Sequence, residues 1–455
     1  MPLPPGPRGP RLLQTIGYAL APTQMFDRAA RRFGDPFTLS LPGFGDFVML
    51  TAPDLIKLVF TGDPDALHAG EANEILEPVV GSHSVLRLDG AEHLRQRRLL
   101  LSPLHGERMA AYGSLMAEIA DAAIARMPVG ERFALHPHMQ SITLQVILRA
   151  VFGLDEGAHL DELAALLVEF MQPPPSVLAF VPPRWFEPLA RLPFGPYHTF
   201  LERRERVDRA IRGIVRARRE ALDPARTDIL SLLLQARDEE GRAMTDDELR
   251  DELVTMLVAG HETTATALTW TCALLLTNPE VATRLQSEID AAPLETWAES
   301  LVASSYLDAV IKESLRLRPI VPDVVRRLKR PMQIGNYEIP EGVFLAPCIY
   351  LAHRRAESWP EPERFLPERF LGARIDPYTW FPFGGGIRRC LGMAFALYEM
   401  KVVLGVLLRG ARLSLATRDP LRVERRSVTL APARGLPVTL ARRAPASDVR
   451  KAMVN

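Results

Sequence analysis

Phe383-Gly384-Gly385-Gly386-Ile387-Arg388-Arg389-Cys390-Leu391-Gly392 is the stretch on which the fold turns. Three consecutive glycines, two arginines and a lone cysteine form a loop that runs into an apolar helical pattern. Glycine lets backbone amides come close to a bulky group, because no Cβ intervenes. A cysteine at the mouth of a helix, beside arginines, has its thiolate favoured by the helix dipole and by positive charge. Such a thiolate is a nucleophile or a metal ligand. A glycine-rich turn around a buried structural cysteine is the plainer reading, and the loop alone leaves both open.

Outside the loop, the composition narrows the classes. Hydrophobic residues make up 47% of the 455 and charged residues 24%, an ordinary globular balance with material for a large core. Lys+Arg and Asp+Glu both number 55, so no global charge points to nucleic acid or an anionic membrane. Cys272, Cys348 and Cys390 are widely spaced and lack metal-ligand pairing, a usage that fits a reducing compartment. The start, Met1-Pro2-Leu3-Pro4-Pro5-Gly6-Pro7, has no charged-then-apolar signal pattern. The nearest approach to a membrane span, Leu253–Leu276, contains His261, Glu262 and six threonines. The expectation is a cytoplasmic protein with no transmembrane anchor and no nucleic-acid partner.

Periodicity predicts a mainly α chain with minor β-sheets, an α+β composition in one domain, 1–455, with a proline-rich lead at 1–12 lying extended on the surface. Strands are expected at Phe37–Leu41 and Phe47–Thr51, and a helix at Asp54–Phe60. Residues 62–90 read as loop with a short helix, and Ala91 opens a helix carrying His93 and Arg97 at i,i+4 on one face. Helices follow at Met109–Met127, Met139–Phe152 and Leu160–Met171. The proline-punctuated apolar segment Phe170–Phe200 suits a lid or a packed loop equally, and the helix after it runs to Ala221. Thr245-Asp246-Asp247-Glu248 is a capping-box start for a long helix ending near Thr277. Short strands are expected at Val324–Leu328, Met332–Ile334, Tyr337–Ile339 and Phe344–Ile349, a helix at Leu391–Arg409, and strands at Ser427–Leu430 and Pro437–Leu440.

Three more features carry chemistry. Ala259-Gly260-His261-Glu262-Thr263-Thr264 lies inside the long helix. Gly260 costs about 1 kcal/mol against alanine there, so close approach of another group is expected at that turn. Glu262 and Thr263 are expensive to bury unpartnered, and threonines bond back to preceding carbonyls. An acid and an alcohol at a widened turn suit proton delivery; a kinked core helix with a solvated glutamate is the competing reading. Glu313 and Arg316 share a helix face, a spacing that is most often surface decoration. Pro362-Glu363-Arg364-Phe365-Leu366-Pro367-Glu368-Arg369-Phe370 is an irregular segment able to deliver Arg369 to a carboxylate in bidentate geometry.

In this order, the four features resemble the cytochrome P-450 family, the haem-thiolate monooxygenases. The cysteine loop matches the family's Phe-x-x-Gly-x-Arg-x-Cys-x-Gly at Phe383, Gly386, Arg388, Cys390 and Gly392. The long helix matches Ala/Gly-Gly-x-Asp/Glu-Thr-Thr at Ala259, Gly260, Glu262, Thr263 and Thr264. The resemblance implies the cytochrome P-450 fold, with haem b held between the long central helix and the cysteine loop with its C-terminal helix. It implies Cys390 as the axial thiolate on iron, with the loop glycines, Gly384 among them, bringing amides to the sulfur. Phe383 would shield the sulfur. Arg388, His93, Arg97 and Arg326 would meet the haem propionates. Glu313, Arg316 and Arg369 would form a fold-supporting ion-pair triad. Glu262 and Thr263 would be the acid–alcohol pair that delivers protons to dioxygen, with Ala259 and Gly260 bordering the oxygen site.

The same resemblance implies a pocket drawn from Val80, Val85, Val258, Val321, Val324, Val325 and Thr429, and hence a hydrophobic small-molecule substrate. No residues are left over for a reductase, so NAD(P)H-derived electrons are expected through a ferredoxin or flavodoxin with its reductase. Arg95, Arg98, Arg389 and Lys401 offer a basic docking face, or ordinary solvated charge. A monomer is expected. The reaction implied is insertion of one oxygen atom from O2. Its alternatives are peroxide-driven oxidation at the same haem and a non-catalytic haem-thiolate sensor.

Overall fold

The capping box forms as its residues require. Thr245 Oγ1 accepts from the Glu248 amide at 3.2 Å, and the Glu248 carboxylate accepts from the Thr245 amide at 2.7 Å. With three acidic residues in the first turn complementing the dipole, it opens a 32-residue helix, Asp246–Thr277, buried along most of its length. The computed structural model describes residues 2–101, 103, 108–154, 157–171, 195–292, 297–417, 419 and 421–443. The proposed gate therefore falls largely outside the described residues.

In chain order, helices α1 (Arg11–Leu20) and α2 (Pro22–Phe33) precede strands β1 (Phe37–Leu41) and β2 (Gly45–Leu50). Next come α3 (Pro53–Thr61), β3 (Leu67–His68), α4 (Glu77–Val80), α5 (Gly90–Leu101), α6 (Arg108–Ala125), β4 (Arg132–Ala134) and α7 (Leu135–Phe152). Helices α8 (Ala158–Phe170), α9 (Pro196–Glu220), α10 (Ile229–Gln235), α11 (Asp246–Thr277), α12 (Pro279–Ala291), α13 (Trp297–Ala303) and α14 (Ser305–Leu317) follow. Four short strands, β5 (Arg326–Leu328), β6 (Met332–Ile334), β7 (Tyr337–Ile339) and β8 (Phe344–Pro347), lead to α15 (Ile349–Ala352) and α16 (Met393–Gly410). The chain closes with β9 (Ala411–Leu415), β10 (Val423–Arg426), β11 (Thr429–Pro432) and β12 (Pro437–Arg443).

Helix α11 packs along α7, α9 and α14, and the C-terminal helix α16 packs on α6. Together they bury the main aliphatic core, from Leu100 through Trp270 to Leu404. A five-stranded sheet, ordered β1-β2-β8-β5-β3, stands beside this helical body. Its hairpin β1–β2 is antiparallel (Phe37 opposite Met49), and β2 runs parallel to β8 (Phe47 opposite Phe344). Among the described residues no helix is long and apolar enough to cross a membrane.

Three expectations need correcting. The proline lead is not loosely extended: Pro4 is buried, and the Pro4 and Pro5 carbonyls accept from Thr38 Oγ1 and its amide at 2.8 and 3.0 Å. Helix α7 begins at Leu135, so His136-Pro137-His138 lies inside its first turn rather than before it. Ser427 and Val428 form the turn between β10 and β11, with Ser427 at φ +57°, and the strands lie on either side.

Candidate functional site

The cysteine loop is shaped by what lies under it. Gly384 and Gly386 hold left-handed backbone, φ +67° and +63°. A Cβ on Gly386 would sit 2.0 Å from the Phe60 carbonyl oxygen, and one on Gly385 would sit 2.2 Å from the Phe60 ring. Gly385 and Gly386 are demanded by contact with α3, beside the role expected of the loop glycines in bringing amides to the sulfur. The amide that does reach Cys390 is that of Gly392. Gly386→Ala is thus expected to wreck the loop even beside Phe60→Ala, because the clash is with backbone. Gly385→Ala is expected to recover partly with Phe60→Ala. Haem content of the four purified variants checks this, and equal recovery of both pairs would contradict the packing account.

Cys390 is solvent-accessible but enclosed by protein mass. Burial pushes its thiol up, against the lowering influence of the Gly392 amide, Arg97 and Arg389. A bound metal would favour the thiolate further. The Cys390 amide donates to the Phe383 carbonyl at 2.9 Å, closing the loop, while the Phe383 ring packs edge-on to Trp380.

Beside the cysteine, basic side chains gather with one carboxylate, Asp89, among them. Among the described residues, Arg326 (7% exposed) donates only to its neighbour's carbonyl, that of Val325, at 2.8 Å. Burial and Arg388 push it down to about 10. Arg388, also lowered to about 10, bonds Asp89 and the Leu88 carbonyl, and meets the Val85 carbonyl at 3.1 Å. His93 (3% exposed) is held down at about 3 by burial, then by Arg388, Arg97 and Arg326. Arg97 is lowered by burial and feels Cys390. A small recess lined by Val59, Phe60, Leu67, His93, Arg326 and Arg388 lies among them. Two arginines sharing one carboxylate, Asp89, and a third, Arg97, beside a soft thiol fit a dianionic, metal-centred group. Haem with its two propionates has that chemistry.

The segment Gly81–Asp89 is moored across this region through its backbone. The His83 amide donates to Asp251 at 2.9 Å and the Val85 amide to Glu252 at 2.8 Å. The other end is held by Arg388. A Cβ on Gly81 would lie 2.2 Å from the Asp251 carboxylate. Glu252 is fully buried and raised well above the usual carboxylate range by that burial.

On α11, Ala259 is exposed in mid-helix, an opening in an otherwise covered surface. Thr263, one turn on, donates from Oγ1 to the Ala259 carbonyl at 2.6 Å, the back-bonding expected of it. Gly260 faces the other way: its Cβ would meet Ile147 of α7 at 3.3 Å, so it serves helix packing rather than an oxygen site. Glu262 also turns toward α7. Gln140 donates to it at 2.5 Å and Thr266 at 3.5 Å, while His136 Nε2 lies 3.5 Å away. Burial raises Glu262, with Arg426 opposing. Glu262 and Thr263 are thus neighbours in sequence on different faces, the acid set in a polar pocket behind the helix. His136, fully buried and lowered to about 3, accepts from Arg426 at 2.8 Å. His136, Gln140 and Arg426 escaped the sequence reading, since they come from α7 and β10.

The Glu-x-x-Arg pair is no surface decoration. Glu313 and Arg316 are both fully buried, with the guanidinium 2.6 and 2.9 Å from the carboxylate. Arg316 also donates to the carbonyls of His353, Pro362 and Arg364, and Arg369 lies 3.4 Å from Glu313. His353, which the sequence reading missed, accepts from the Phe381 amide at 2.9 Å and so joins this knot to the cysteine loop.

The nominated pocket residues do not share one wall. Val85 belongs to the main core and Val325 packs with Phe26, Phe37 and Leu39. Val324 lies 3.8 Å from the Cβ position of Gly384. Val80 and Thr429 are buried, and Val258 and Val321 are half-buried. Of the suggested docking cations, Arg95 is paired with Asp238 and Glu248, Lys401 with Asp308 and Arg98 with Glu239, leaving Arg389 exposed.

Residues 3–438 match the sequence profile described as Cytochrome P450. Cytochrome P450 135B1 of Mycobacterium tuberculosis is 41% identical over 437 residues, covering 96% of this chain and 90% of the relative. Cytochrome P450 138 of the same organism is 36% identical, covering 97% of each. Among solved structures, a retinoic acid-bound cyanobacterial CYP120A1 superposes with a TM-score of 0.85 at 25% identity, covering 97% of this chain and 99% of the other.

Proposed function

The chain belongs to the cytochrome P450 family, haem-thiolate monooxygenases that use haem b and O2 with NAD(P)H-derived electrons, and from that premise we propose its substrate class and the roles of its residues. It oxidises a hydrophobic small molecule. When bound, the haem supplies the oxidising chemistry. Cys390 holds the metal, Gly392 donates its amide to the sulfur, and His93, Arg97, Arg326 and Arg388 take the two propionates. The convergence of three arginines, Arg97, Arg326 and Arg388, and the buried neutral imidazole of His93 around one cysteine carries the reading. Glu313, Arg316 and Arg369 support the loop from behind. The retinoic acid in the cyanobacterial structure, a hydrophobic small molecule, supports the substrate class.

Proton supply falls to α11. Thr263, whose hydroxyl is tied to the Ala259 carbonyl, passes protons on the open face of the helix. Glu262, raised by burial and set in the polar pocket with Gln140, Thr266 and His136, is the acid behind it. Electrons come from a separate ferredoxin or flavodoxin with its reductase. Thr263→Ala is expected to lower product formed per NAD(P)H by about tenfold or more, while peroxide-driven turnover stays near wild type. Unchanged coupling in that variant would remove Thr263 from the pathway.

A further inference from the structure

Helix α1 is seated with its polar face inward. Gln14 (7% exposed) donates to the Pro7 and Gly9 carbonyls at 3.1 and 3.2 Å and accepts from the Ser40 amide at 3.0 Å. Tyr18 donates to Asp323 at 3.1 Å, and its ring lies 4.4 Å from the Arg425 guanidinium. Leu12, Leu13 and Leu20 point out, 64%, 62% and 58% exposed, the most exposed large hydrophobics among the described residues. Leu13 and Leu20 are two turns apart on one face, with Leu12 beside them. A surface helix ordinarily does the reverse. Here the hydrogen bonds to Gln14 and Tyr18 hold the helix so that rotation cannot hide its leucines.

The chain segment that carries this face is strongly basic. Residues 1–34 hold Arg8, Arg11, Arg28, Arg31 and Arg32 against the single acid Asp27. All five arginines are exposed, and α1 carries no acid in its first turn. Arg11 has Asp46 at 3.9 Å; among the described residues no carboxylate within ion-pair range serves the other four. A second copy docked face to face would bring the same arginines together and repel. An anionic bilayer answers both features, taking leucines at the acyl boundary and guanidiniums at the headgroups.

We propose that α1 is a docking helix that seats this protein on an anionic lipid bilayer surface. The haem-loaded, full-length protein is floated with vesicles of mixed phosphatidylglycerol and phosphatidylcholine, and with vesicles of phosphatidylcholine alone. The anionic vesicles are expected to carry about tenfold more protein, falling as salt rises. The triple variant Leu12→Ser, Leu13→Ser, Leu20→Ser should lose that binding about tenfold or more while keeping the wild-type haem spectrum and peroxide-driven turnover. Equal flotation on both vesicles, no flotation at all, or undiminished binding by the triple variant would each overturn the proposal. So would a dimer in sedimentation velocity that the triple variant converts to monomer.

Discussion

Arg316→Ala is expected to leave little or no folded, haem-bearing protein. The substitution strands Glu313, fully buried, with Arg369 at 3.4 Å as its remaining cation, and it frees three carbonyls that Arg316 satisfied. Removing one partner of such a buried pair costs about 3–5 kcal/mol, against a total stability of roughly 5–15 kcal/mol. Arg316→Lys should rescue poorly, because an ammonium cannot reproduce the planar fork that reaches a carboxylate and three carbonyls together. Soluble yield, haem content and the urea midpoint measure it. A midpoint within error of wild type would show that the knot carries no load.

The second large effect is at Cys390. Cys390→Ser is expected to abolish the red-shifted absorption band of the reduced, carbon monoxide-bound protein and to bring NAD(P)H-dependent turnover to background. Serine has the shape of cysteine without a soft donor. Cys272→Ser and Cys348→Ser should keep the band. Both thiols are buried, and burial raises them, Cys272 to about 12. They have no part in ligation, although a hydroxyl in either site costs some stability. If either control lost the band and Cys390→Ser kept it, the assignment of the ligand would fall.

Local chemistry made parts of this fold legible. The capping box at Thr245 fixed one end of α11, and Thr277 before Asn278-Pro279 fixed the other. Turn residues bounded β6 and β7 at the expected positions. The illegible parts depend on packing. Gly260 was placed on the wrong side because only the arrival of Ile147 from α7 decides which face it serves. At Cys390 the adjacent arginines are visible in a sequence and the opposing desolvation is not. His136 and Arg426 lie 290 positions apart, so no local pattern joins them to Glu262. Helix α1 went unseen because the apolar residues that mark a buried face lie on its outer side.

The segment Gly81–Asp89 is fastened at its middle through main-chain groups, with amides to Asp251 and Glu252 and carbonyls to Arg388, while the Ser84, Arg87 and Asp89 side chains add bonds of their own. Recognition of that kind is blind to side-chain identity. Ser82 and Leu86 can therefore be exchanged without loosening the mooring, whereas Gly81, Arg87, Asp251 and Arg388 cannot. Fixed anchors and interchangeable positions between them are what a lineage needs to acquire new preferences while keeping its architecture, and a randomised library in this chain is best concentrated there.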